Sequence, residues 1–148
     1  MYGLRAMHRR PMRRWSSNFE NIIVMLKEGL KYISTTTVDT TNSALALGSG
    51  DMEVFATPAM VALMENAAMK AVAEYLPQGA TTVGTQISTT HIKASAMGVK
   101  VSAEAELTAV NGRELSFSIK AYDENGAIGE GSHTRFIVDR ERFLSKLK

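Results

Sequence analysis

The 148-residue chain contains no cysteine, which excludes disulfides, thiolate metal sites and cysteine nucleophiles. It also has no apolar run near the roughly 20 residues needed to span a bilayer. No internal repeat or low-complexity tract interrupts it. Ser-His-Asp signatures, nucleophile elbows, P-loops and dinucleotide fingerprints are all missing, and "GSGD" is too short to cradle a phosphate, so it reads as a turn. Three histidines without neighbouring acidic ligands make no case for a metal. Absent cysteine suits a reducing compartment, so a cytoplasmic protein is expected, with neither nucleic acid nor membrane as partner.

What is present reads as globular: 45% hydrophobic and 22% charged residues, on a length that supports one domain with a real core. The net charge of +2 is unevenly distributed. Residues 1–24 carry Arg5, Arg9, Arg10, Arg13 and Arg14 against the single acid Glu20, leaving twelve basic and fourteen acidic residues from Met25 onward. The arm lacks the apolar core of a secretory signal. It could bind nucleic acid or direct the chain to an organelle. It reads instead as a disordered extension, because the rest of the chain offers no cooperating basic face and "MLKEGLKY" at Met25 resembles a natural beginning. Residues 25–148 are then expected to form a single domain.

Within that domain, "TTTVDTTNSALAL" (Thr35–Leu47) is partly alternating and predicts a strand. Thr57 followed by Pro58 predicts a helix start, with Thr57 as N-cap, running to about Tyr75 before Pro77 and Gly79. Thr81–Ser95, Val99–Val110, Glu114–Asp123 and Ala127–Val138 alternate and are rich in β-branched residues, with "AMG", "NGR" and "ENG" as tight turns. "DRERFLSKLK" predicts a terminal helix capped by Asp139. A long, mostly apolar helix needs burial on more than one side. One strand, a helix and four antiparallel strands therefore give an α+β class and the order of the hotdog fold, a curved sheet wrapped around a helix. Its exposed edge strand makes a homodimer, possibly a dimer of dimers, the natural expectation.

The helix "FATPAMVALMENAAMKAVAEY" contains one acid, Glu65, whose neighbours at helical spacing are Val61, Ala68, Met69 and Val72. A carboxylate there needs a partner, because burying it bare costs several kcal/mol. Such an acid is either a satisfied structural group or a functional one. Thr57 alone reads as a cap, although its hydroxyl would sit at the positive end of the helix dipole. His91 shares a strand face with Thr89 and Lys93, and His133 alternates with Arg135. Histidines so placed are more often structural than catalytic, and the methionines of the helix read as core filling.

Taken together, "VFATPAMVALMENAAM", "VGTQISTTHIKASAMGVKV" and "GSHTRFIV" resemble the fluoroacetyl-CoA-type thioesterases of the hotdog superfamily, over about Thr35 to Val138. The resemblance implies acyl-CoA hydrolysis with Thr57, Glu65 and His91 as the catalytic set, Gly84 and Arg135 as substrate-binding residues, and no cofactor beyond the coenzyme A of the substrate. It implies that Glu65 attacks the thioester or activates water, that His91 moves the proton, and that Thr57 orients the carboxylate or bonds the substrate. Gly84 would let substrate approach the backbone, and Arg135 would anchor substrate or order the site. One departure stands out: a phenylalanine-bearing lid precedes the catalytic helix in the family's fluoroacetyl specialist. Here "LALGSGDMEVF" has Gly48, Gly50 and Asp51 instead, so another small or medium acyl group is expected. A non-catalytic acyl-CoA-binding module is the competing reading. A hydratase ranks below it, because related folds place an Asp and a His differently.

Overall fold

The computed structural model describes residues 26–148; the expectations for the basic arm, residues 1–24, lie outside the described residues. The elements run β1 (Lys31–Thr37), α1 (Ala44–Leu47), α2 (Thr57–Ala73), β2 (Ala80–His91), β3 (Lys100–Asn111), β4 (Glu114–Asp123), β5 (Gly126–Asp139) and α3 (Arg140–Ser145). All pairings in the five-stranded sheet are antiparallel, in the order β1-β3-β4-β5-β2. The curved sheet holds α2 on its inner face, which is the α+β hotdog arrangement.

Helix α2 buries Met60, Met64, Ala67, Ala68, Ala71 and Val72. These positions recur every three to four residues and form one stripe, which packs chiefly on β3 and β1. Leu107, Leu115, Phe117, Ile119 and Ile137 close the core from the sheet. Each large side chain removed from water contributes about 1.5–3 kcal/mol. Glu65 falls at the margin of the stripe, with its side chain 41% exposed, so the helix is not apolar all round.

Three expectations change. The strand foreseen over Thr35–Leu47 begins earlier and ends at Thr37. Its second half forms α1, because Ser43 caps the turn by accepting from the Ala46 N–H (3.1 Å) and Gly48 ends it at φ 70°. The N-cap of α2 is Ala56, without a side-chain cap bond; Thr57 is the first helical residue. Its hydroxyl is thereby released from capping. The last four strands are not a simple meander: β2 pairs with β5, and "AMG" belongs to the crossover from β2 to β3 rather than to a hairpin. "NGR" and "ENG" do turn two adjacent hairpins. The Asp139 cap of α3 is observed, accepting from the Arg142 N–H at 3.0 Å.

A bulge in β2 decides what faces α2. Thr82 and Gly84 pair with Ile137 and Arg135, whereas Ile87, Thr89 and His91 pair with His133, Gly131 and Gly129. Directly paired residues share a sheet face. The register shift between Gly84 and Gln86 inserts one residue and exchanges the two faces of β2. Gly84 and His91, an odd number of residues apart, therefore both point toward α2.

Candidate active site

The inward residues of β2 and the exposed flank of α2 form two clusters. At the N-terminal end of α2, Thr57 Oγ1 lies 2.8 Å from His91 Nδ1. Phe55 meets the imidazole edge-on, with centroids 6.4 Å apart. His91 Nε2 is inaccessible to solvent and has no hydrogen-bond partner among the described residues. Burial lowers the pKa of His91 below the ordinary 6.5. The Lys93 backbone acts in the opposite direction, without reaching hydrogen-bond geometry at Nε2. A neutral imidazole held at one nitrogen and unsatisfied at the other is suited to exchanging a proton with a bound group.

The second cluster surrounds Glu65, eight residues and about 12 Å further along α2. Glu65 Oε2 lies 3.8 Å from Arg135 Nη1. Each nitrogen of the Arg135 guanidinium has a partner, with Nε donating to Thr82 Oγ1 at 2.8 Å and Nη2 to the Thr82 carbonyl at 2.9 Å. Its Nη1 is 3.1 Å from His133 Nε2. Burial lowers the Arg135 pKa, partly offset by Glu65. A Cβ on Gly84 would come within 2.9 Å of Glu65 Oε2 and 3.1 Å of His133 Cε1. Gly84 itself is exposed, so its lack of a side chain leaves room beside the Glu65 carboxylate.

The sequence-predicted residues therefore separate into Thr57 with His91, and Glu65 with Gly84 and Arg135. The partner of Thr57 is His91, not Glu65. Two further residues belong to the second cluster, Thr82 and His133. The alternation of His133 with Arg135 was visible in "GSHTRF", but nothing local pointed to Thr82. Among the described residues, no group of three His, Asp or Glu side chains could hold a metal ion.

An open groove of about 390 Å³ runs between α2 and the β1 side, with apolar walls that include Leu47, Phe55, Pro58, Ala59 and Leu63; none of Thr57, Glu65 and His91 lines it. Leu47 comes from the segment that lacks aromatic residues until Phe55.

Comparison with known proteins bears on the family and the fold. The family model described as fluoroacetyl-CoA-specific thioesterase matches residues 38–141. A fluoroacetyl-CoA thioesterase from Streptantibioticus cattleyicolor is 44% identical over 96 residues, covering 65% of this chain and 69% of its own. A solved structure of the fluoroacetyl-CoA thioesterase superposes with a TM-score of 0.77 at 35% identity, over 82% of this chain and 95% of the other. A hot-dog-like protein from Thermanaerovibrio acidaminovorans shares the fold, with a TM-score of 0.77 at 18% identity over 86% and 94% of the two chains.

Proposed function

Because the chain belongs to the fluoroacetyl-CoA-specific thioesterase family, and is with it a hydrolase of CoA thioesters, we propose that Thr57, Glu65 and His91 are its catalytic set, acting on a small or medium acyl-CoA. The observation that carries this is the Thr57–His91 hydrogen bond, which leaves the buried Nε2 of His91 without a partner. Glu65 attacks the thioester carbonyl, breaking the C–S bond and forming an anhydride that water then cleaves, or it takes a proton from attacking water. Under either route the neutral His91 offers its Nε2–H as a hydrogen-bond donor to the departing CoA sulfur, which leaves as the thiolate, and Thr57 fixes the ring by donating to Nδ1. Arg135 orders the carboxylate, and the shape of Gly84 admits it. A small or medium acyl group is favoured because the segment before α2 carries no aromatic residue until Phe55. The reaction requires no cofactor beyond the coenzyme A of the substrate.

The reading includes a homodimer. Strand β2 is a twelve-residue sheet edge without a partner strand on its outer side among the described residues. Antiparallel pairing of two β2 edges about a twofold midway between Gly84 and His91 sets each His91 opposite the partner's Gly84. That pairing would bring each His91 to the carboxylate of the other chain, whereas within one chain His91 pairs with Thr57, two helical turns or about 12 Å along α2 from Glu65. Residues 25–148 are the catalytic unit and residues 1–24 are dispensable. No helix of the described residues is long and apolar enough to cross a membrane, and a cytoplasmic site of action is part of the proposal.

Thiol release from straight-chain acyl-CoAs of increasing length tests the activity, with Glu65→Gln and His91→Ala as controls. Tight CoA binding without turnover by the wild type would favour a binding module instead. Single-turnover hydrolysis in heavy-oxygen water bears on the two routes: solvent oxygen in the Glu65 carboxylate, with an enzyme oxygen in the product acid, would establish attack by Glu65 and cleavage of the anhydride at the Glu65 carbon. Mixing Glu65→Gln with His91→Ala chains tests the shared site: about a quarter of wild-type activity should return if each site draws on both chains. None should return if one chain supplies the whole set.

A further inference from the structure

His133 lies beneath this site and has no role in the reading above. It is 2% exposed, and both ring nitrogens are engaged. Nδ1 lies 2.7 Å from the Gln86 carbonyl, at the β2 bulge, and Nε2 lies 3.1 Å from Arg135 Nη1. A carbonyl can only accept and a guanidinium can only donate. The two contacts together therefore define one tautomer, in which Nδ1 carries the proton and Nε2 carries the lone pair. An imidazolium would turn an N–H toward the Arg135 N–H and break the contact.

We propose that His133 is a positioning residue that acts on Glu65 through Arg135. As a neutral imidazole it ties the guanidinium to the bulge and so sets the place of the Glu65 carboxylate. This rests on the catalytic reading of Glu65. Thr82 holds Nε and Nη2 of Arg135, leaving Nη1, the nitrogen nearest Glu65, with His133 as its hydrogen-bond acceptor. Without that acceptor, the guanidinium edge nearest the carboxylate is free to tilt. The charged groups facing His133 are Arg135 from β5 and Glu65 from α2, while β2 presents the Gln86 carbonyl and β4 the Phe117 ring, 6.2 Å between centroids. Burial, first, and Arg135 lower the His133 pKa against the opposing effects of Gln86 and Glu65, which agrees with the neutral form.

Two arms test this on the intact protein. In the kinetic arm, His133→Leu removes the acceptor and should lower kcat by about 10- to 100-fold, with KM changed by less than about threefold. His133→Gln can place an acceptor near the Nε2 position and should recover most of the loss. In an Arg135→Lys background the effect of His133→Leu should shrink to less than about twofold, because the connecting group is gone. Equal losses in both backgrounds, or wild-type kcat in folded His133→Leu, would overturn the proposal. In the second arm, nitrogen NMR of the imidazole should show Nδ1 protonated and Nε2 bare, with an Nε2 shift that moves on Arg135→Lys. An Nε2-protonated tautomer, or an unmoved shift, overturns it even if the leucine variant fails to fold. If the wild type releases no thiol, the catalytic reading of Glu65 fails, while NMR still decides whether His133 is coupled to Arg135.

Discussion

The two ends of β2 face the same helix yet are built in opposite ways. At the His91 end, a single side-chain hydrogen bond joins two groups, Thr57 is an exposed residue, and one ring nitrogen has no partner. At the Gly84 end, Arg135 and His133 are buried, their polar atoms are paired, and only the Glu65 side chain emerges. The first end keeps one ring nitrogen unpaired among the described residues. The second is a fixed seat, where moving one group leaves another buried and unsatisfied at a cost of about 1–3 kcal/mol. On the proposed reading, a histidine that serves the leaving group and a rigidly placed carboxylate make different demands, and one bulged strand serves both.

Substitutions at the two ends should therefore fail differently. Glu65→Gln should lower kcat by about 10⁴-fold and His91→Ala by about 10²-fold, both with melting temperatures near the wild type. Comparable rates in wild type and Glu65→Gln would remove the carboxylate from the chemistry. Gly84→Ala presses a methyl group toward Glu65 Oε2 and should cost about tenfold in kcat by displacing the carboxylate, with little change in KM. Thr57→Val should cost less, about fivefold, and Thr57→Ser should restore it, because the hydroxyl and not the helix cap is what matters. Were valine and serine equally active, Thr57 would be only a helix-starting residue.

The pH response gives the smallest effect and engages both ends together. Burial lowers both His91 and His133 from the ordinary 6.5, so the unfolded chain takes up these protons before the folded one. Their contribution is intact above about pH 6.5 and is lost as pH falls below it. Thermal unfolding across that range should show the decline, and His133→Gln should flatten part of it. Asp123 acts lower. Desolvation raises its pKa, but bonds from the Asn125 backbone and Ser95, with Lys93 nearby, hold it below 3.8. That contribution is present above the unfolded value and is lost as pH falls through the folded one.

Much of this was legible in the sequence, for physical reasons that differ by element. Strand β4 has the foreseen limits because its alternation is clean and two-residue turns bracket it. The apolar run of α2 and the Asp139 cap are local signals and were read correctly. Thr35–Leu47 misled because threonine-rich alternation looks alike in a strand and in a capped turn, and Ser43 and Gly48 settled the latter. Thr57 looked like a cap because Thr-Pro begins many helices; its bond to a residue 34 positions away is tertiary. The environment of Glu65 was hidden for the same reason, since Thr82, His133 and Arg135 meet it only through the pairing of β2 with β5.

The β2 bulge has a consequence for how such a chain can change length. Side chains along a strand alternate with a period of two. Gly84 and His91 share a face only because one residue between them is out of step. Losing one residue there, or gaining one, would turn His91 toward solvent and away from Thr57. Changes of two would preserve the facing while sliding the histidine along the helix. Descendants of this sequence should therefore show this seven-residue interval as a fixed spacing, even where its side chains are freely exchanged.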